Sequence, residues 1–263
     1  FQAEDGIRDR SPSRGLGDVY KRQFLWFAVS PNVVFFDVDF TLIYPGPTFN
    51  GEGYRKFATQ YGLSVDPNKY THAVSVASAE LTQQQNNIYR AELFIGYAQR
   101  VLEEMGAVGH SLNACAREIY DEWSCSRHFL LYDDVIPVMR VLHDSGFILG
   151  LISNTHRSMS AFQRHFNLTS YLSVTISSYE HGYMKPEPSI FYAALDQIGA
   201  SASDAIMVGD SVPHDIKGAC QVGMGAVLID RSGMGNQDVD DDIPVIRTLR
   251  DLPTTLKTLS PPI

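Results

Sequence analysis

Val33-Val34-Phe35-Phe36-Asp37-Val38-Asp39-Phe40-Thr41-Leu42 is the stretch that decides the fold. Its first four residues are β-branched or aromatic without a break, the pattern of a strand buried on both faces. Polar residues begin where such a strand leaves the sheet, and in an open α/β sheet the carboxyl ends of the strands are where ligands bind. Continued as a strand, the stretch sends Asp37, Asp39 and Thr41 to one side and Val38, Phe40 and Leu42 to the other. Two like charges about 5 to 7 Å apart repel by roughly 2 to 3 kcal/mol at an effective dielectric near 20, and a cation would relieve that repulsion.

Beyond Leu131 strand-like and helix-like runs alternate. Phe147 to Ile152 reads as a strand ending in Ser153-Asn154, followed by a helix near Met159 to Phe166 and a shorter strand at Ser173 to Ile176. Pro188 to Ile198 has helical spacing. Ala205 to Val208 is a strand ending in Gly209-Asp210, then come a helix near His214 to Gln221 and a last strand at Ala226 to Ile229. This alternation predicts a doubly wound parallel α/β sheet. Between Phe49 and Leu130 helical spacing dominates, with Tyr54, Phe57, Ala58 and Tyr61 on one face, and likewise Leu93, Tyr97, Val101 and Leu102, then Cys115, Ile119 and Trp123. Gly62, Asn86 and Gly106 mark breaks. The expected organisation is a core at 24–48 and 131–263 with an inserted all-helical domain at 49–130; the alternative is that these helices pad the sheet.

The chain has 263 residues, 44% of them hydrophobic and 19% charged, with a net charge of -9. That is a globular composition. No run of lysine and arginine offers a track for a phosphate backbone, which argues against nucleic acid, while small anionic substrates stay compatible because local fields in a cleft outweigh net charge. Cys115, Cys125 and Cys220 are odd in number and lack C-x-x-C spacing, reading as reduced thiols of a cytoplasmic protein. Phe24 to Val29 is too short an apolar run to span a bilayer, so no membrane partner is expected. Oligomeric state is not readable. Residues 1–23 show no apolar periodicity and resemble the conceptual translation of a sequencing-library adaptor, so they are set aside as non-native. They carry five basic and four acidic residues, and the remaining chain has a net charge of -10.

Four pieces occur in order at expected strand ends: Asp37-x-Asp39-x-Thr41, Ser153-Asn154, Lys185 before Pro186, and Gly209-Asp210-Ser211 with Asp215 five residues after Asp210. Any one alone is weak. Together they resemble the haloacid dehalogenase-like hydrolase superfamily, over about residues 33–48 and 131–230, and the helical insert stands where that superfamily carries its type 1 cap. The resemblance implies a Rossmann-like core, Asp37 as a nucleophile toward phosphorus, and Asp39 as the acid and base that protonates the leaving alcohol and later activates water. It implies phosphate contacts from Thr41, Ser153, Asn154 and Lys185. It also implies Mg²⁺ held by the Asp37 side chain, the Asp39 carbonyl and Asp210, with Asp215 more often acting at one remove.

Members that cleave carbon–halogen bonds typically lack an aspartate at the Asp39 position, so its presence favours phosphate esters of small metabolites over a 2-haloacid dehalogenase. A phosphomutase differs only in whether the cap excludes water after the first step, and the motifs leave it open. A non-catalytic interaction protein on the same fold would have no need of the complete set. Phe40 stands where many relatives have glycine, which suggests a strand-like exit there. Ser211 is expected to cap the following helix. His156, His181 and His214 fall near the motifs and read as structural. Tyr44 to Asn50 and Tyr132 to Pro137 are the expected hinges. The polar segment Gln83 to Asn87, with Arg90, reads as a solvated loop.

Overall fold

The computed structural model describes residues 32–82, 87–233 and 239–259. The set-aside segment 1–23, the run Phe24 to Val29 and residues 83–86 of the polar segment lie outside the described residues. In chain order the elements are β1 (Val33–Phe36), β2 (Ile43–Pro45), α1 (Gly51–Gln60), α2 (Tyr70–Thr82), α3 (Ala91–Glu104), α4 (Leu112–Trp123) and β3 (Phe129–Leu131). Then follow α5 (Val135–Asp144), β4 (Ile148–Ser153), α6 (Met159–His165), β5 (Leu172–Ser177), α7 (Pro188–Ile198) and β6 (Ala205–Gly209). The chain continues through α8 (Lys217–Val222), β7 (Gly225–Ile229), β8 (Val245–Ile246) and α9 (Leu252–Leu259).

Six strands form one parallel sheet in the order β5-β4-β1-β6-β7-β8. Both faces of β1 are covered, which is why its four residues are apolar without alternation. Val34 and Phe36 pack with Val138, Phe162 and Leu256 from α5, α6 and α9. Val33 and Phe35 face the other way, onto Phe191 and Ala219 from α7 and α8. The result is the expected doubly wound α/β core. Local chemistry sets its helix ends: Pro188 opens α7, and Gly199, at φ 74°, closes it in the left-handed region that glycine enters without penalty.

This strand order positions the site. β1 lies between β4 and β6, with Phe36 opposite Leu151 on one side and Val208 on the other. The residues that follow these three strands, Asp37, Asn154 and Asp210, therefore emerge side by side at the carboxyl edge, where the chain's course through the sheet reverses.

The side-to-side alternation expected through Leu42 is corrected by the structure. β1 ends at Phe36, and the chain folds back at once, with the Leu42 and Ile43 amides donating to the Val38 carbonyl at 2.9 and 3.1 Å and the Phe40 amide to Ile43 at 2.7 Å. Phe40 takes φ 63°, so the strand-like exit expected there is also corrected. An aromatic residue is strained in that region. The turn persists because it delivers β2 to β3, which pair antiparallel with Ile43 opposite Leu131. This ribbon joins the core to α1–α4. The second expected hinge, Tyr132 to Pro137, is likewise corrected in part, since α5 begins at Val135.

The four inserted helices bury Tyr54, Ala58, Ala73, Ala77, Val101 and Ile119 in a core continuous with that of one sheet face. No helix among the described residues is long and apolar enough to cross a membrane.

Candidate active site

Lys185 is the centre of the site. Its side chain is 1% exposed, and Nζ lies 2.6 Å from Asp37 Oδ1, 2.6 Å from Asp215 Oδ1 and 2.7 Å from the Ile152 carbonyl. An ammonium has three protons: two are donated to Asp37 and to the Ile152 carbonyl, and Asp215 Oδ1 adds a buried ion-pair contact. The lysine arrives on the segment after β5 and is fixed there by Asn154. The Asn154 Oδ1 accepts from the Lys185 amide at 2.7 Å, and its Nδ2 donates to the Lys185 carbonyl at 3.0 Å. The Asn154 amide, from which a phosphate contact is expected, grips the Lys185 main chain with its Oδ1 and one of its two Nδ2 protons.

Asp37, Asp210 and Asp215 each present a carboxylate oxygen, all within 4.8 Å of one another. Asp215 can approach so closely because of Gly209, where an added Cβ would lie 2.2 Å from Asp215 Oδ2. The same carboxylate oxygen accepts from the Ser211 amide at 3.0 Å. Ser211 itself accepts from the His214 amide and caps a π-helical turn at Val212–Ile216, which begins two residues before the helix expected from the sequence.

Charge in this cluster is not balanced by Lys185 alone. Burial pushes the Asp37 carboxyl up to about 7, with Lys185 opposing the rise and Asp215 and Asp39 adding to it. Asp210 is held well above the carboxylate range by burial and by Asp37 and Asp215. Burial disfavours the Lys185 ammonium, but Asp215 and Asp37 outweigh it and raise the lysine above its ordinary range. Three converging hard oxygen donors with excess negative charge fit a divalent cation such as Mg²⁺. The hydroxyls of Thr41 and Ser153 are buried without a hydrogen-bond partner, and a phosphate oxygen would satisfy such groups.

Asp39 stands apart from that cluster. Its side chain is 20% exposed and is held by Arg157, whose Nη1 donates to Oδ2 and whose Nη2 donates to Oδ1, both at 3.1 Å. Arg157 is fully buried: its guanidinium lies 4.4 Å from the Phe129 ring centroid and donates to the Trp123 carbonyl at 3.2 Å. It thus ties the β4 loop to Asp39 and to the end of α4. Sequence reasoning missed it. The available signal was a basic residue four positions after Ser153, in the loop following a strand adjacent to β1.

A second arginine was also missed. Arg231, after β7, donates to the Thr41 carbonyl at 3.0 and 2.7 Å and to both Asp134 oxygens at 2.9 and 3.0 Å. It anchors the turn that carries Asp39. The histidines near the motifs each have protein partners: His156 stacks on Tyr120 with ring centroids 3.9 Å apart and bonds its carbonyl, His181 pairs with Ser189, and His214 with Ser211.

A doubly wound core, an inserted set of helices and a lysine locked between carboxylates at the strand ends mark a Rossmann-like hydrolase with a helical cap. The chain belongs to the haloacid dehalogenase-like hydrolases, whose family pattern matches residues 31–223. It is 27% identical over 209 residues to human N-acylneuraminate-9-phosphatase, covering 76% of this chain and 83% of the relative. Among solved structures it is similar to a HAD phosphatase from Thermococcus onnurineus, with TM-score 0.60, 25% identity, and 86% of this chain and 97% of that one covered. A 2-haloacid dehalogenase from Pseudomonas syringae is similar to the same degree, with TM-score 0.59, 25% identity and coverage of 88% and 100%.

Proposed function

We propose that this protein is an Mg²⁺-dependent phosphatase of small phosphorylated metabolites that works through a phosphoryl group carried on Asp37. The observation that carries the reading is the Asp37–Lys185–Asp215 arrangement at 2.6 Å on each side, with Asp210 beside it and Asp39 held separately by Arg157.

In this reading a carboxylate oxygen of Asp37 attacks phosphorus as the bond to the leaving alcohol breaks, and Asp39 delivers the proton that the departing oxygen takes up. Water then attacks the same phosphorus, Asp39 receives the water's proton, and the bond to Asp37 breaks to regenerate the carboxylate. Lys185 meets the charge that spreads over the phosphoryl oxygens, while Thr41 and Ser153 offer their hydroxyls to the same oxygens. The Asp37 and Asp210 side chains and the Asp39 carbonyl would hold Mg²⁺, with Asp215 supporting through Lys185 and the Ser211 amide. When bound, the cation would neutralise charge and orient the phosphate. An aspartate at position 39, positioned to serve a leaving alcohol, supports ester hydrolysis over cleavage of a carbon–halogen bond, whose leaving halide needs no proton.

The deciding experiment measures phosphate release from a panel of phosphorylated metabolites with Mg²⁺, with EDTA, and with Asp37→Asn. Release is expected to require both the metal and Asp37. Release that survives EDTA and the substitution rejects the mechanism.

A further inference from the structure

A cavity of about 240 Å³ opens beside Asp39, between the strand-end loops and the inserted helices. Its upper wall is built by Tyr54, Leu81, Phe94, Tyr97, Ile119 and Trp123, and its floor by Asp39, Phe40, Asn154, Thr155 and His156. In the proposed mechanism Asp39 serves the leaving alcohol, so the space it faces is the space that alcohol must fill. The chemistry of the walls therefore reads out the class of substrate.

Most of the polar groups around this cavity are already engaged. The Tyr97 hydroxyl is hydrogen-bonded to Ser78, and Tyr120 pairs with the Tyr89 hydroxyl at 2.7 Å. His156 Nε2 is bonded to the Tyr120 carbonyl, the Asn154 amide grips Lys185, and Asp39 is held by Arg157. Among the described lining residues there is no lysine or arginine. A carboxylate or a second phosphate on the leaving group would be stripped of water there without a counter-charge. Sugar hydroxyls would meet mainly ring faces and aliphatic side chains, with only a few hydroxyls such as those of Tyr97 and Tyr120 left to answer them. An apolar ring or chain, in contrast, gains from leaving water and from aromatic walls.

Resting on the phosphatase reading, we propose that the preferred substrate is the phosphate monoester of an uncharged, largely apolar alcohol, with an aromatic group seated between Phe94 and Trp123. An apolar cavity of about 150 Å³ holds benzene, so one of about 240 Å³ has room for a phenyl ring with a short linker.

The test compares kcat/KM of the full chain with Mg²⁺ on 2-phenylethyl phosphate, glucose 6-phosphate, O-phosphoserine and 2-phosphoglycolate, all esters of alkyl alcohols. The aromatic ester is expected to exceed each of the others at least tenfold. Acetyl phosphate, too small to fill the cavity and needing no proton on its leaving group, reports separately on the core chemistry. If acetyl phosphate is hydrolysed and a charged or polyhydroxy ester equals the aromatic one, the inference is overturned while the phosphatase reading stands.

If neither acetyl phosphate nor any of the four esters is hydrolysed, the phosphatase reading falls and the cavity is judged by binding. Trp123 lines it, so 2-phenylethanol should shift the emission of a Trp26→Phe protein saturably, at about millimolar concentration or below, while glucose and glycolate should not. Absence of a saturable shift overturns the inference whatever the turnover.

Discussion

Arg157 holds both carboxylate oxygens of Asp39 in a planar fork, each at 3.1 Å, from a position with no exposure to solvent. A guanidinium in that geometry fixes the orientation of the carboxylate as well as its place, which a lysine cannot do. If Asp39 transfers the leaving-group proton, Arg157 is a positioning residue for that step. Arg157→Lys is expected to lower kcat/KM on alkyl phosphates, which reports through departure of the leaving group, about tenfold to a hundredfold. The kcat/KM for acetyl phosphate, whose leaving group needs no proton, should fall much less. Steady-state kinetics on the two substrate types separates this role from a general loss of structure, which would depress both equally.

Lys185 sits between Asp37 and Asp215 with its side chain 1% exposed. Replacing it with methionine keeps the volume and leaves two buried carboxylates facing each other without the cation. Breaking a buried pair from one side costs about 3 to 5 kcal/mol, and Lys185→Met should lose about that much stability in metal-free urea unfolding at neutral pH. The double variant with Asp215→Asn should recover part of the loss, because the group left unpaired is then neutral. Strictly additive losses would mean that the 2.6 Å contact carries no coupling.

Asp210 contributes one of three carboxylates that converge within 4.8 Å. Asp210→Asn should therefore raise the thermal midpoint in EDTA by relieving repulsion, while abolishing the response to Mg²⁺. For the unmodified protein, Mg²⁺ at a hundred times its dissociation constant adds about 2.7 kcal/mol, or roughly 5 to 10 °C. Calorimetry with and without the metal reads both effects. An equal Mg²⁺ shift in the two proteins would remove Asp210 from the metal site.

Most strands and helices of the core were legible because each is long enough to show its period or is bounded by local chemistry; α5, the two-residue β8 beyond the strand expected to be last, and α9 were not read. Pro188 and Gly199 bracket α7, and the apolar run at Val33 to Phe36 ends where β1 ends. What escaped was decided at long range. Nothing near Phe40 asks an aromatic residue to take φ 63°; that turn is held by β2 pairing with β3, two three-residue strands separated in sequence by the whole helical insert. Arg157 had no pattern to announce it, since its partner lies 118 residues upstream. Asn154 was read by type as a phosphate donor, and its tie to the Lys185 backbone through Oδ1 and one of its two Nδ2 protons was not foreseen, a contact that exists only once β5 places the lysine segment beside β4.

The second missed arginine leads to a prediction about acid stability. Asp134 is 1% exposed and receives Arg231, the Thr248 hydroxyl at 2.7 Å and the Leu249 amide at 2.9 Å. Burial pushes its carboxyl up, but hydrogen bonds from Arg231, Thr248 and Leu249 outweigh that and hold it below the ordinary carboxylate range. A folded-state value below the unfolded one means that the unfolded chain takes up the proton first. The stabilisation is thus fully present above the unfolded carboxylate range and is lost as pH falls through the folded value. Asp134→Ala should cost about 3 kcal/mol at pH 7, because it leaves the largely covered Arg231, 13% exposed, beside the Thr41 carbonyl without its counter-charge. It should also flatten the decline in stability below about pH 4, since the group that takes up the proton is gone. Urea midpoints from pH 7 down to pH 3 measure both features. A variant that loses stability in parallel with the unmodified protein across that range would show that Asp134 contributes through packing alone.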